Sequence, residues 1–301
     1  MKDVPAGAAT VSVPAATRGT PGDYLSLTKP RLNLLVVATS AAGYYLGAGS
    51  AAPGAAMLQA VAGTALVAAG AAVLNQVAER DTDALMRRTR GRPLPDGRVP
   101  PADARLFGIL LSAGGLTLLA ALPHRLAAGL ALITLVLYLA VYTPLKRRTP
   151  LATLVGAVPG ALPALIGWTA SRGNISLGGA ALFGIVFLWQ IPHFMAIAWM
   201  YRDDYTKAGF PMLPVVDASG RRAGRQAVVY AAALIPVSAV PAFAGVSGTA
   251  YLFTALGLGT VLIWLAVRFA ARRTDASARG LFFGSITYLP VLLIAMIADR
   301  L

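Results

Sequence analysis

Residues 55–95 of the 301-residue chain read AAMLQAVAGTALVAAGAAVLNQVAERDTDALMRRTRGRPLP, an apolar run that changes abruptly into a charged one. The first 21 of these residues carry no charged side chain. An α-helix needs about 20 apolar residues to cross the hydrocarbon core of a bilayer. The next 20 residues hold three carboxylates and five arginines. This boundary predicts a transmembrane helix that ends in a charged loop at one membrane surface.

The composition of the chain extends this prediction to the fold as a whole. Hydrophobic residues make up 57% of the sequence and charged residues 13%, whereas soluble domains carry about 25% charged residues. The chain therefore lacks the polar surface of a water-soluble globule, and we predict an all-α polytopic membrane protein with nine transmembrane helices. The predicted spans are residues 32–50, 55–75, 104–122, 126–143, 151–171, 177–200, 225–245, 250–270 and 280–298.

The distribution of charge predicts how these helices are oriented. If the nine spans alternate in direction, 23 of the 26 lysines and arginines lie on one face, and only Arg125, Arg172 and Arg300 lie on the other. Basic residues in short loops stay in the cytoplasm, so we predict a cytoplasmic amino terminus and an outside carboxyl terminus. Residues 1–22 are rich in Ala, Thr, Pro and Gly and predict a flexible tail, which leaves residues 23–301 as a single intramembrane domain.

Charge and cysteine content exclude several kinds of function. The net charge of +14 follows the membrane topology and does not indicate a nucleic-acid partner. The sequence has no cysteine, which excludes disulfides and thiolate metal sites. Arginine outnumbers lysine 22 to 4 and the tail is short, which favours the plasma membrane of a bacterium over a mitochondrial membrane.

The first acidic cluster has the spacing of a binding site. Asn75, Glu79 and Asp83 follow one another at four-residue intervals and would share one face of a continued helix. Oxygen ligands of this kind suit Mg²⁺, which proteins hold through one or two carboxylates together with substrate phosphates. Arg88 and Arg92 follow, and guanidinium groups suit phosphate oxygens. The cluster predicts a diphosphate site. The alternative is an amphipathic cytoplasmic loop with solvated ion pairs.

A second cluster of polar residues is predicted at the same membrane face. Asp203 and Asp204 follow the sixth span and provide two further metal-binding carboxylates, and Lys207 provides another cation. Tyr142 and Lys146, four residues apart, could both donate to phosphate oxygens, although anchoring by positive charge explains Lys146 equally well. We predict that the two acidic clusters face each other across a cavity.

His193 lies inside the apolar sixth span, just after Pro192. An ionisable residue within the membrane is a candidate functional residue. The alternative is that its imidazole is bonded to a neighbouring helix and serves packing alone.

These motifs together resemble the UbiA superfamily of intramembrane prenyltransferases. The resemblance runs from LTKPRLNLLVV (residues 27–37) to the last span, and residues 75–95 are similar to the superfamily's first aspartate-rich motif. Tyr142 and Lys146 match its Y-x-x-x-K element. The segment WQIPHF…DDYTKAGFPMLP (residues 189–214) resembles the heme-modifying branch and supplies that branch's histidine.

The second motif departs from the superfamily pattern. Quinone-pathway members carry D-x-x-x-D there, but this chain has Lys207 four residues after Asp203 and Ala208 four residues after Asp204. The missing carboxylate leaves the number of bound metal ions open.

The resemblance implies an enzyme of known type. It implies a UbiA-type bundle that transfers a farnesyl group from farnesyl diphosphate to a vinyl group of heme B, with addition of water, giving heme O and diphosphate. It implies Mg²⁺ as cofactor, catalytic roles for His193, Asp83 and Asp204, and Lys29 or Arg31 for the heme propionates. The lipid bilayer would surround the farnesyl chain, and heme A synthase or a terminal oxidase would receive the product.

Three other functions stay open on the sequence. A prenyltransferase acting on a quinone precursor or another aromatic acceptor is the nearest alternative. A transporter or cation channel would place its acids near the bilayer midplane, whereas these acids gather at one edge. A heme-binding redox protein would need two matched histidines, and His124 and His193 are predicted on opposite faces.

Overall fold

The computed structural model describes residues 19–49 and 54–301, and every regular element in this part of the chain is a helix. The helices are α1 (Pro21–Leu27), α2 (Pro30–Gly47), α3 (Ala55–Ala78), α4 (Arg80–Leu85), α5 (Pro101–Ala120), α6 (Leu126–Val136), a π-helical turn (Leu137–Tyr142), α7 (Thr143–Leu145), α8 (Ala152–Arg172), α9 (Leu177–Met200), α10 (Arg202–Lys207), α11 (Leu213–Val216), α12 (Arg221–Phe243), α13 (Thr249–Arg272) and α14 (Asp275–Ala298).

Each of the nine predicted spans falls on helical structure, with ends that differ by five residues at most when α6, the π-helical turn and α7 are taken as one span. Within the described residues, eight helices are long and apolar enough to cross a membrane. The first predicted span corresponds to α2, which is not among the eight and carries Arg31 and Asn33 in its first turn. The chain is therefore a multi-pass membrane protein, while the count of nine spans and the orientation of the termini stay predictions.

The predicted tail falls mostly on residues 1–18, which lie outside the described residues. Its last two residues, Pro21 and Gly22, already belong to α1. The Thr20 hydroxyl accepts a hydrogen bond from the backbone N–H of Asp23, whose carboxylate accepts one from the backbone N–H of Thr20. This capping box fixes where α1 begins. Asp23 is also paired with Arg98, which ties α1 to the loop before α5.

Helix α8 holds the bundle together. It is the most buried of the eight candidate spans. One of its faces contributes to a core cluster with α9 and α12–α14, and the other to a cluster with α3, α5 and α6. Because both clusters share α8, the two groups of helices form one body.

Helices α2 and α8 cross with their backbones in contact. A Cβ atom on Gly167 of α8 would overlap the backbone carbonyl of Ser40, and one on Gly43 of α2 would overlap that of Ala164. Small residues let helices approach closely in lipid, where packing replaces the hydrophobic effect as the driving force. The crossing therefore depends on glycine at these two positions.

The loops gather at two ends of the bundle. At one end, which we call the charged end, residues 28–29, 79–100, 143–151 and 201–220 contain the carboxylates of the two acidic clusters and their basic partners. At the opposite end Arg172 donates to the backbone oxygen of Gly47, and Arg300 to that of Tyr45. This separation agrees with the alternation of loops predicted from the sequence.

Candidate active site at the charged end

The first acidic cluster lies at a break between α3 and α4. Glu79 separates the two helices with φ −100° and ψ 8°, so the continued helix predicted from the sequence is interrupted at this residue. The backbone hydrogen bonds from Glu79 to Asn75 (2.9 Å) and from Asp83 to Glu79 (2.8 Å) preserve the four-residue repeat. Asn75, Glu79 and Asp83 are consequently all buried, at 3%, 4% and 1% exposure, whereas Asp81 is exposed.

Both buried carboxylates are paired with cations from other segments. Both oxygens of Glu79 accept from Lys146 Nζ at 3.2 Å, and Asp83 Oδ2 accepts from Arg92 at 2.6 Å. The backbone oxygen of Asp83 also accepts from the hydroxyl of Thr89 at 2.7 Å. A desolvated carboxylate is costly unless it is paired and hydrogen-bonded, so these contacts explain how the acids tolerate burial. They also place Lys146 and Arg92 beside the predicted metal ligands.

The position of Lys146 depends on the π-helical turn before it. The sequence predicts that the fourth span ends at residue 143, and the helix continues two residues further, to Leu145. Pro144 has no backbone N–H and cannot make the α-helical bond to Ala140. The chain widens instead, and the N–H of Thr143 bonds to the carbonyl of Tyr138, five residues back. Turns of this type occur frequently at functional sites.

Thr143 orients the amide of Asn75. The Thr143 hydroxyl donates to the Tyr138 carbonyl at 2.8 Å and accepts from Asn75 Nδ2 at 3.1 Å. A threonine hydroxyl has a single hydrogen, so Asn75 must present its NH₂ group to Thr143. Its oxygen Oδ1 then faces away from Thr143. Thr143 is a site residue that the sequence analysis missed.

Tyr142 of the Y-x-x-x-K element packs against α8. Its ring stacks on Tyr138 with centroids 5.4 Å apart, and a Cβ atom on Gly156 would come within 2.6 Å of it. The phenol lies within electrostatic range of Glu79 and Arg88. Tyr142 therefore lies near the first cluster, and its role in binding phosphate stays a prediction.

The second cluster lies at the same end, but its carboxylates do not join the first. Asp203 is exposed, Asp204 is half-buried and Lys207 is exposed. In residues 19–49 and 54–301, no group of three or more His, Cys, Asp and Glu side chains is arranged to hold a metal ion. A metal at Asp203 and Asp204 therefore stays a prediction.

Apolar and aromatic contacts connect the two clusters. Met86, from the loop after α4, packs with Tyr205, Phe210 and other buried residues of the segment after α9. Arg88 lies 4.8 Å from the ring centroid of Tyr201 and donates to the Tyr205 hydroxyl at 3.5 Å. Phe210 also supports Lys146, whose Nζ is 4.4 Å from its ring centroid. These aromatic residues carry no recognisable pattern in the sequence, because only the folded chain brings them to the arginine and the lysine.

Lys29 belongs to the first cluster. It precedes α2 in the left-handed conformation (φ 49°), which is uncommon for a residue other than glycine. Its ammonium lies within electrostatic range of Glu79, Asp83, Arg92 and Lys146. Burial, and then the charge of Arg92, lower the pKa of Lys29 to about 8. This places Lys29 with the predicted diphosphate-binding residues, while Arg31 is exposed at the start of α2.

His193 lies deeper in the bundle than the charged end. It precedes Met200, the last residue of α9, by seven positions, which is about 10 Å along a helix axis. The imidazole stacks between Trp189 and Phe282, with ring centroids at 5.2 and 5.0 Å. Its Nδ1 lies 2.8 Å from the hydroxyl oxygen of Ser285. Ser285 belongs to α14 and had no signal in the sequence, because its role depends on the tertiary contact.

Comparison with known proteins identifies relatives of the whole fold. The sequence profile of the UbiA prenyltransferase family matches residues 36–287. The protoheme IX farnesyltransferase of Solibacter usitatus is 46% identical over 287 residues, covering 92% of this chain and 98% of its own. That of Opitutus terrae is 46% identical over 280 residues, covering 93% and 95%.

Solved structures show the same fold at lower sequence identity. A digeranylgeranylglyceryl phosphate synthase superposes with a TM-score of 0.78 at 18% identity, over 92% of this chain and 97% of its own. A UbiA homologue from Archaeoglobus fulgidus, bound to DMAPP and Mg²⁺, superposes with a TM-score of 0.66 at 19% identity, over 92% and 99%.

Proposed function

This chain belongs to the UbiA prenyltransferase family, and we propose that it transfers the farnesyl group of farnesyl diphosphate to a vinyl group of heme B. Water is added in the same reaction, and the products are heme O and diphosphate. The observation that carries this proposal is the 46% identity, over 98% of its length, to a protoheme IX farnesyltransferase. The enzyme works as a multi-pass protein, in our proposal in the plasma membrane of a bacterium with its active face towards the cytoplasm.

The first cluster has the donor set that Mg²⁺ requires. Asn75 of α3, Glu79 at the break and Asp83 of α4 offer one amide oxygen and two carboxylates, all of them buried, and Asn75 is oriented by Thr143. Mg²⁺ takes oxygen ligands and is commonly shared between a few carboxylates and substrate phosphates. We propose that these residues hold Mg²⁺ and that Asp203 and Asp204 contribute from the second cluster. When bound, Mg²⁺ neutralises negative charge on the departing diphosphate.

The basic residues around the cluster bind the diphosphate in this proposal. Lys146 and Arg92 already lie against the buried acids, and Arg88 lies over Tyr201 at the edge of the second cluster. Lys29 adds a fourth cation. Charge-assisted hydrogen bonds of this kind are among the strongest that proteins make. Tyr142 and Lys207 complete the proposed set as a neutral donor and an outer cation.

The arrangement separates the leaving group from the acceptor. The diphosphate is held at the charged end, while His193 lies about 10 Å inward, between aromatic side chains. The 15-carbon farnesyl chain can lie among apolar helices. When its bond to the diphosphate breaks, these helices keep water from the resulting allylic cation until the vinyl group of heme B has attacked. We propose that His193 either ligates the heme iron or accepts a proton, and that Asp83 and Asp204 act on the diphosphate side. Lys29 and Arg31 stay candidates for the heme propionates.

The product is proposed to leave through a protein partner. Heme O is apolar and poorly soluble in water, so direct transfer to heme A synthase or a terminal oxidase suits its chemistry. No nucleic acid takes part in this proposal.

A product assay tests the proposal. Membranes containing the protein are incubated with farnesyl diphosphate, Mg²⁺ and either heme B or 4-hydroxybenzoate, and products are identified by mass. We expect a farnesylated, hydrated heme and no farnesylated benzoate. Asp83→Ala should abolish the heme product while the protein still inserts, and exposed Asp81→Ala serves as the matched control. Farnesylation of the benzoate alone, or full activity of Asp83→Ala with Mg²⁺, would contradict the assignment.

A further inference from the structure

We infer that Ser285 is a positioning residue that holds His193 in the tautomer protonated at Nδ1, so that Nε2 presents its lone pair to the acceptor. The inference rests on the proposed function for the identity of that acceptor, heme B. The tautomer itself is inferred from the hydrogen-bond geometry around Ser285, without reference to the acceptor. It assigns a role in the reaction to α14, which carries none of the residues predicted from the sequence.

The hydrogen count around Ser285 determines the tautomer. Ser285 Oγ lies 2.7 Å from the backbone oxygen of Phe282 and 2.8 Å from His193 Nδ1. A distance of 2.7 Å between two oxygens is that of an O–H···O hydrogen bond, and without a hydrogen between them their lone pairs would repel. The carbonyl of Phe282 has no hydrogen to give, so the hydroxyl hydrogen of Ser285 must lie in this contact.

The contact with the imidazole must then be made by the histidine's own hydrogen. A serine hydroxyl has a single hydrogen, which is already used on Phe282, so Oγ can only accept from His193. Nδ1 therefore carries the proton. In a neutral imidazole the other nitrogen is then an acceptor. Of the two imidazole nitrogens of His193, only Nδ1 has a hydrogen-bond partner among the described residues. This leaves Nε2 for a ligand.

Ser285 also fixes the plane in which that lone pair lies. Its backbone oxygen accepts from Trp189 Nε1 at 2.6 Å, and the Trp189 ring stacks on the imidazole with an angle of 18° between the planes. The Phe282 ring is also stacked on the imidazole, with centroids 5.0 Å apart and an angle of 22° between the planes. Ser285 therefore bonds to the imidazole Nδ1 through its hydroxyl and to Trp189 through its backbone oxygen. Both contacts oppose rotation of the His193 ring.

This tautomer restricts what His193 can do. A neutral imidazole with a free Nε2 can ligate heme iron or accept a proton, but it cannot donate one from that nitrogen. Hydrogen bonds to the far nitrogen of a ligating histidine fix ring orientation, and their loss typically costs about 10–100-fold in affinity or activity. We expect a loss of that size when the Ser285 hydroxyl is removed.

Nitrogen NMR measures the tautomer directly, because the chain has only two histidines. In the ¹⁵N-histidine-labelled His124→Gln protein, His193 gives the only imidazole signals. We expect Nδ1 in the protonated range and Nε2 in the unprotonated range. A protonated Nε2, or an even mixture of tautomers, would overturn the inference without reference to activity. This measurement uses native Ser285 and does not depend on whether a variant folds.

Variants of Ser285 then test the link to catalysis. Ser285→Ala should move protonation towards Nε2 and lower kcat with heme B about 10–100-fold, while farnesyl diphosphate affinity stays within about twofold. Ser285→Thr keeps a hydroxyl and should restore both tautomer and rate. Ser171→Ala is the matched control, because its hydroxyl makes the same bond three residues back, to Trp168.

These measurements distinguish a failure of the positioning role of Ser285 from a failure of the proposed function. An unchanged tautomer in Ser285→Ala refutes the positioning role. A tautomer that follows Ser285 as inferred, in a protein that farnesylates 4-hydroxybenzoate and not heme B, supports the positioning role and refutes the proposed function.

Discussion

Removing the Lys146 ammonium should destabilise the protein through Glu79. Glu79 is 4% exposed, and both its oxygens lie 3.2 Å from Lys146 Nζ. At this distance two unit charges attract by about 5 kcal/mol at an effective dielectric constant of about 20. Breaking a buried pair by removing one partner costs about 3–5 kcal/mol. Lys29 keeps a positive charge nearby, so we expect about 3 kcal/mol for Lys146→Met.

Thermal unfolding of the purified protein in detergent, without Mg²⁺ or substrate, measures this cost. At about 2 °C per kcal/mol for a large domain, the midpoint of Lys146→Met should fall by about 6 °C. Glu79→Gln/Lys146→Met should recover much of this loss, because the unpaired buried charge is then gone. Arg147→Met is the matched control, since Arg147 is exposed and makes only a 3.5 Å contact with Thr82.

Comparing the double variant with the two single variants can refute the pairing of Glu79 with Lys146. If Lys146→Met unfolds at the native midpoint, or if the double variant loses the sum of the two single losses, Glu79 is not stabilised by Lys146. The pairing on which the diphosphate site is built would then be wrong.

Three further predictions concern the surroundings of the first cluster. Thr143→Val leaves a buried amide without its acceptor, so the Mg²⁺ concentration for half-maximal activity should rise about tenfold, and Thr143→Ser should restore it. Because the pKa of Lys29 is lowered to about 8, its charge is lost as pH rises through this value, and KM for farnesyl diphosphate should increase there. In Lys29→Arg, KM should not change with pH over this range. If KM still increases at the same pH in this variant, the assignment to Lys29 is contradicted. Gly156→Ala places a Cβ 2.6 Å from the Tyr142 ring and should lower the free energy of unfolding by about 1–3 kcal/mol, whereas Gly114→Ala, with open space around it, should not.

The sequence predicted the helices well because each span is a long apolar run with charged ends. Residues 177–200 were predicted with the observed bounds. The spacing of Asn75, Glu79 and Asp83 predicted a shared face, and all three are buried although the helix breaks at Glu79. The break did not matter to the prediction because the backbone hydrogen bonds on both sides of Glu79 keep the repeat.

What the sequence could not give were contacts between distant segments. Ser285 is one serine among several in apolar helices, and only its position opposite His193 gives it a role. Thr143 became a site residue because it follows a π-helical turn, and the periodicity of the sequence does not reveal such a turn. Lys29 was predicted for the heme propionates, and the sequence did not show that the fold also brings its charge near Glu79 and Asp83.

The crossing of α2 with α8 limits how a large flat acceptor can enter from the bilayer. Packed helices slide past one another by small adjustments of the side chains between them. At Gly43 and Gly167 no side chains stand between the two backbones, so this contact has little capacity for such movement. We expect α2 and α8 to act as a fixed pivot, and the opening that admits heme to form between other helices of the bundle.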